Sequence, residues 1–295
     1  MMRVAIADAV AEIAAHEEVA PFVLAPFAHL RSASETVDLH IEVEPLREAV
    51  DAPDTGAITS TDDTITYRHP HSVSVLDRRT NRIRARVRNA DGVAPWHRAK
   101  PLQVPLSIFF ADRGVDFVHA GLISLHGTGA LITGMGGSGK STLTLASLLE
   151  GLDLLGDDCV AVRGTEGFSI YGSASVERDH LERFPQFAPD ANLGGKTVLP
   201  LAELFPERMA AKTTIRAIVL PRVTHGEHVT IAPATAKEAL LALAPSSILK
   251  RAVPAAAALA RMTRLVREVP AFRLEMGPIA EIGPRIRELL EGLQS

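Results

Sequence analysis

The sequence predicts an α/β fold with a smaller β-rich domain in front, and three observations carry that expectation. A strand pattern at 130 to 133 runs into a glycine-dense loop and then a helical pattern. From about 106 onward, short apolar strand patterns alternate with helical ones. Before that, short runs alternate apolar and polar residues, the period of half-buried strands. The expected division is 1–105, a small β-rich α+β domain, and 106–295, the α/β domain.

The 295 residues are 46% apolar and 22% charged, enough to build more than one core and too apolar for a disordered chain. A net charge of −4 offers no global positive field for nucleic acid or an anionic membrane, so neither is expected as a partner. Cys159 is the one cysteine, which excludes an internal disulfide and a cysteine zinc site. Asp8, Glu12, Glu17 and Glu18 interrupt the N-terminal region where a secretory signal would be apolar. The alanine-rich 252–260 stretch is too short to span a bilayer and is framed by Arg251 and Arg261. A soluble cytoplasmic protein is expected.

Taken in order, Val4, Ile6, Ala7, Val10, Ile13 and Ala14 approach helical spacing and predict a short first helix, ended by Pro21 and Pro26. Strands are predicted over Thr36 to Val43, Thr64 to Tyr67, Ser72 to Leu76 and Arg82 to Arg88. After the apolar 106–110 segment, Asp112-Arg113-Gly114 turns the chain into a strand over Phe117 to Leu125. A tight turn at His126 to Gly129 leads to the loop strand, and the loop helix runs from Lys140 to about Glu150. A strand over Leu152 to Val162 is interrupted at Gly156-Asp157-Asp158. A hairpin is expected around Phe168 to Tyr171, and a strand over Ile215 to Leu220 answered by Val229 to Ile231. Helices near 235–243, 246–252 and 254–268, a strand over Ala271 to Leu274 and a helix from about Ile279 to Leu293 close the chain.

The loop reads Gly134-Met135-Gly136-Gly137-Ser138-Gly139-Lys140-Ser141, which fits G-x-x-x-x-G-K-[ST] between a strand and a helix. Glycines let successive N–H groups turn inward around phosphate oxygens, and the helix adds its positive end. Lys140 would reach the β- and γ-phosphates, and the Ser141 hydroxyl would ligate Mg²⁺. The expected nucleotide-binding set is Gly134, Gly136, Gly137, Ser138, Gly139, Lys140, Ser141 and Thr142, with ATP and Mg²⁺ as ligands. Asp157 and Asp158 end a strand expected to lie beside the loop strand. One carboxylate there can hold the metal while the other takes a proton from an attacking hydroxyl. His119 is expected on the strand preceding the loop strand, on the face of Gly121, Ile123 and Leu125.

The stretch from Val118-His119-Ala120-Gly121 through Gly134–Ser141 to Leu155-Gly156-Asp157-Asp158 resembles the catalytic domain of HPr kinase/phosphorylases. It resembles still more the HPr-kinase-related serine kinases found outside sugar-uptake regulation. That family carries a His-x-Gly segment fifteen residues before the first loop glycine and an acid pair starting seventeen after the loop lysine, and His119 and Asp157 stand at those distances. The resemblance covers roughly 110 to 290. It implies that Asp157 is the general base on an acceptor serine, that Asp158 is a metal-side carboxylate, and that His119 lies near the acid pair. It also implies a homo-oligomer.

The chain departs from the regulatory kinases in Ala120 and in lacking their glycine-arginine-rich loop, of which Asn192-Leu193-Gly194-Gly195-Lys196 is at most a remnant. HPr as substrate and the reverse phosphorylase reaction are therefore not carried over. The related group includes tailoring kinases that phosphorylate a serine on ribosomally made precursor peptides such as lasso peptides. The expected partner is thus a small protein or peptide carrying the acceptor serine. A nucleotide-dependent switch without an acceptor and a kinase for small-molecule hydroxyls are the alternatives. Asn-Lys-x-Asp and Leu-Ser-Gly-Gly segments, marks of GTPases and ABC-type ATPases, do not occur.

Other features carry weaker expectations. Arg82, Arg84, Arg86 and Arg88 share one strand face, either a docking platform or a solvated face balanced by acids. His69 and His71 share a face without a third metal ligand in the sequence nearby. His225 and His228 flank a turn, Cys159 reads as packing, and Arg261, Arg264 and Arg267 read as a solvated helix face. Arg222 and Lys196 are both candidates for a further cation at the transferred phosphoryl group, unranked by sequence.

Overall fold

The computed structural model describes residues 1–177, 181, 183–187, 196–224, 226–248 and 255–294. The chain is α/β and divides into two compact units, one made of Met1–Gly114 with Gly172–Pro200, the other of Val115–Tyr171 with Leu201–Ser295.

The first unit is built on a seven-stranded sheet of β1 (Met2–Ile6), β2 (Ala9–Ala15), β3 (Leu39–Pro45), β4 (Ala57–Ser60), β5 (Thr64–His69), β6 (Ser72–Asp77) and β7 (Arg82–Val87). The strand order is β1-β2-β3-β7-β6-β5-β4, with β3 parallel to both its neighbours. The predicted first helix is instead the β1–β2 hairpin. Met2, Val4, Ile6, Ala9, Ala11 and Ile13 are buried and alternate with less buried residues, a period of two that the helical reading missed. The hairpin turns at Ala7, which adopts a left-handed φ of 51° without being glycine. On the buried face, Leu39, Ile41, Val43, Ile65, Leu76 and Ile83 complete a core. The 106–110 segment is part of a helix, Gln103–Ala111, packed on β5 and β6.

The second unit starts with β8 (Asp116–Val118), β9 (Gly121–Leu125), β10 (Thr128–Ile132), β11 (Asp153–Gly156), β12 (Val160–Arg163) and β13 (Glu166–Phe168). After β14 (Ala174–Glu177) and β15 (Lys196–Leu199), which pair in the first unit, come β16 (Lys212–Val223), β17 (Thr230–Ala234) and β18 (Ala271–Met276). The sheet order is β11-β9-β10-β16-β13-β12-β8, and β18 joins the outer half of β16, with β17 beside it. β17 was expected to pair with the 215–220 strand, but β18 lies between them, parallel to β16. The hairpin expected at Phe168 to Tyr171 falls earlier, between β12 and β13.

Every residue of β9 and β10 is buried, because helices cover both faces. The loop helix, Lys140–Leu149, and the closing helix, Ile279–Gly292, pack together on one face. Ala239, Leu243, Met262 and Leu265 of the helices Ala236–Ile248 and Ala255–Glu268 meet Leu122, Leu131 and Ile218 on the other. One helix runs through Pro245 where two had been expected at 235–243 and 246–252; 249–252 lies outside the described residues.

Strand direction decides where the site forms. β10 and β11 both run antiparallel to β9, and β16 and β18 run parallel to β10. All four therefore deliver their carboxyl ends to the same sheet edge, the edge at which ligands gather in α/β sheets.

Candidate active site

The glycine loop leaves that edge from β10. Thr133 N–H donates to Val219 O of β16 at 3.0 Å, fixing where the loop begins. Gly139, at φ +100°, ends it in a conformation that a side chain would strain, and a Cβ there would strike Met276 Sδ and lie 3.4 Å from Val223 Cγ2. The loop is thus tied to β16 where it starts, and where it ends its last glycine leaves no room for a side chain beside Met276 of β18. At the tip Met135 is 77% exposed, and a Cβ on Gly136 or Gly137 would meet nothing within 4 Å. Lys140 is only 8% exposed, and its Nζ donates to Gly134 O at 2.9 Å and Met135 O at 3.1 Å. An ammonium group thus sits under an open loop. Ser141 and Thr142 follow in the first helical turn, and Thr144 Oγ1 donates back to Lys140 O at 3.0 Å.

The acid pair follows β11 at the same edge. That strand is not next to β10 as expected: β9 intervenes, because the chain returns antiparallel through β9 before the loop strand. Asp157 is 2% exposed. A Cβ on Gly121 would collide with Thr144 Oγ1 and come within 3.7 Å of Asp157 Oδ1, so carboxylate and loop helix meet over a position that must stay glycine. Asp158 takes a left-handed φ of 69°, which aspartate tolerates better than most residues. Its Oδ1 lies 2.9 Å from His119 Nδ1, the side chains 25% and 28% exposed respectively.

His119 is not inside a strand. It sits in the break between β8, which pairs with β12, and β9, which pairs with β10 and β11. Strand alternation therefore does not set its direction; its N–H donates to Ser247 Oγ at 3.0 Å. Ser247, Thr144 and Gly121 were absent from the predicted site. Gly121 lay within the His119-Ala120-Gly121 segment, while nothing local marks Ser247, which is 128 residues away from His119.

Arg222 is exposed at the outer end of β16. Lys196 lies on β15 in the first unit, 3.5 Å from Glu177. The arginine row of β7 is matched by acids: Arg82 and Arg84 contact Glu42 at 2.8 and 3.3 Å, and Arg86 pairs with Glu48. Arg261 is not part of a solvated face, since it makes a bidentate pair with buried Asp116 at 2.6 and 2.8 Å. His69 and His71 do gain a third imidazole, His97, with ring centroids 4.6 Å from His69. His69 has both nitrogens engaged, Nε2 2.9 Å from Asp54 O and Nδ1 accepting His71 N–H at 3.2 Å. Among the described residues no three His, Cys, Asp or Glu side chains gather as a metal cage. No described helix is long and apolar enough to cross a membrane. His225 and 192–195 lie outside the described residues.

Fold and site describe an α/β protein whose glycine loop, buried lysine and acid pair share one sheet edge. No family model matches the chain. It is 41% identical over 64 residues to the HPr kinase/phosphorylase of Geobacillus thermodenitrificans, covering 22% of this chain and 21% of that protein. The Bacillus subtilis HPr kinase/phosphorylase is 38% identical over the same length and shares. The chain thus matches about one fifth of the length of these relatives, and through that segment it is HPr-kinase-like, related to a family of phosphotransferases. Among solved structures, the HPr(Ser) kinase/phosphatase from Coxiella burnetii is similar over 60% of this chain and 95% of that one, at 14% identity and a TM-score of 0.34.

Proposed function

We propose that the chain is an ATP- and Mg²⁺-dependent serine kinase that transfers the γ-phosphoryl group to a serine of a small protein or a ribosomally made precursor peptide. The observation that carries the reading is the meeting of a lysine-bearing glycine loop with a buried carboxylate, Asp157, at the carboxyl edge of a sheet. The 1–105 and 106–295 division belongs to the same proposal, as does calling the second part a P-loop domain.

The residues fit MgATP in their chemistry. Lys140 Nζ now bonds two carbonyls of the loop, and phosphate oxygens entering the open tip offer it stronger, charge-assisted partners. Ser141 and Asp158 supply oxygen donors, the kind Mg²⁺ takes, with the remaining positions left to phosphates and water. Bound there, the ion would neutralise and orient the phosphates. Asp157 orients the acceptor hydroxyl and takes its proton as the serine oxygen bonds to the γ-phosphorus. The bond from that phosphorus to the β,γ-bridging oxygen breaks, and its electron pair leaves with ADP. His119 holds Asp158 in its left-handed turn, so the two carboxylates keep separate tasks.

The test is to incubate the protein and MgATP with HPr and with serine-containing precursor-type peptides and to read intact masses. A phosphoryl adduct on a peptide, absent with Asp157→Asn, supports the reading and identifies the substrate class. ATP consumed with no adduct on any polypeptide replaces it with a switch or a small-molecule kinase.

A further inference from the structure

Within the helix Ala236–Ile248, Ala239 and Leu243 are buried against the sheet, and Ser247 is the next residue of that stripe, four positions on. An apolar side chain is what the stripe calls for there. Ser247 is instead a hydroxyl, 3% exposed, whose Oγ accepts the His119 N–H at 3.0 Å. We infer that Ser247 is a positioning residue: it holds the His119 backbone where the imidazole meets Asp158, and so keeps that carboxylate on the metal side. The inference rests on the phosphotransfer reading above.

The need for such a residue comes from the sheet. β8 ends at Val118 and pairs with β12, while β9 begins at Gly121 and pairs with β10 and β11, so His119 stands outside both ladders. A buried N–H at such a break needs a partner, and the Ser247 hydroxyl supplies it. His119 is then held from two sides, its main chain by the helix and its Nδ1 2.9 Å from Asp158 Oδ1. Asp158 lies beyond the end of β11 in a left-handed turn, so the imidazole rather than a strand ladder bears on where its carboxylate points. The same helix is also fixed to the loop. Thr133 Oγ1, just before the first glycine, donates to Ala242 O at 3.3 Å, about a turn and a half ahead of Ser247. One helix therefore meets both the start of the loop and the residue that holds Asp158. Ser247 contacts no reacting atom; it acts through His119, as partners behind a metal ligand do.

The experiment measures ATP binding by calorimetry with Mg²⁺ and with EDTA in its place. It compares the full chain with Ser247→Ala, Ser247→Cys, Ser247→Thr, His119→Ala and the Ser247→Ala, His119→Ala double variant. The wild-type chain should bind ATP in both conditions, at least about tenfold more tightly with Mg²⁺, and His119→Ala should lose most of that gain. Ser247→Ala and Ser247→Cys, the second nearly the size of serine but a weak acceptor, should lose at least about threefold of it, whereas Ser247→Thr keeps the hydroxyl and the gain. With EDTA every variant should stay within about twofold of the wild type, because Lys140 and its loop are untouched. The double variant should lose no more than His119→Ala alone. Equal losses with Mg²⁺ and EDTA, a fallen thermal midpoint and losses that add to those of His119→Ala would mark a merely structural role and overturn the assignment. Alanine and cysteine variants that keep the whole Mg²⁺ gain overturn it while leaving the kinase reading intact. A wild-type chain that binds ATP but gains nothing from Mg²⁺ overturns it too, since Asp158 then has no metal to serve. A wild-type chain that binds ATP in neither condition overturns the kinase reading itself.

Discussion

Gly121→Ala should damage the protein through one identifiable neighbour. Gly121 has no unusual φ, so backbone strain is not the cause; the added methyl group would collide with Thr144 Oγ1 while lying in ordinary contact with Asp157 Oδ1 at 3.7 Å. Thr144 is fully buried and stiff at χ1, and its hydroxyl is already committed to Lys140 O at 3.0 Å. It cannot swing away without losing that bond. Overpacking of this kind costs about 1–3 kcal/mol, and a lost buried hydrogen bond about 1 kcal/mol more. The reduced freedom of an unfolded alanine returns about 0.4–1 kcal/mol, leaving a net loss of about 2 kcal/mol. Thr144→Ala removes the obstructing oxygen, so the double variant should be destabilised no more than Thr144→Ala alone, a coupling of about 1–2 kcal/mol by urea denaturation. Strictly additive losses, or a Gly121→Ala chain as stable as the parent, would refute the geometry on which the placement of Asp157 rests.

Other predictions follow from the same packing. His29 is largely shut away from water, and burial pushes its pKa down to about 4. The folded protein keeps it neutral while the unfolded chain protonates it below about pH 6.5, so stability is full above that value and falls as pH drops toward 4. The loss is at most about 3 kcal/mol, and His29→Gln should flatten this acid limb in urea titrations between pH 7 and 4. Arg261→Ala removes the bidentate ion-pair partner of the buried Asp116 carboxylate and should cost about 3 kcal/mol, whereas Asp116→Asn with Arg261 intact should cost less, both read by denaturation. Lys140→Met should leave the fold intact by circular dichroism and weaken ATP binding at least about tenfold by calorimetry.

What could be read from the sequence was local. The strand–loop–helix unit is legible because glycines, lysine and serine must be consecutive to work, and the acid pair because it is contiguous. The β1–β2 hairpin was not, because Val4, Ile6, Val10 and Ile13 approach helical spacing across a turn, whereas the period of two holds only within each strand, through Met2, Val4 and Ile6 and then Ala9, Ala11 and Ile13, and Ala7 turns the chain left-handed without a glycine to announce it. Strand order was equally hidden. That β9 separates β11 from β10, and β18 separates β17 from β16, depends on pairings that no local window contains. For the same reason the contact of Ser247 with His119, and that of Arg261 with Asp116, appear only once the sheet has formed.

The central claim is that loop and acid pair divide the work, Lys140 and its loop binding the nucleotide and Asp157 acting on the acceptor. ATP affinity and phosphoryl transfer to an acceptor peptide, measured on the same preparation of Asp157→Asn, test that division most directly. The account predicts ATP affinity within about twofold of the parent and transfer reduced at least about 10²-fold, the scale of a lost general base. Undiminished transfer, or a loss of ATP binding as large as the loss of transfer, would contradict it.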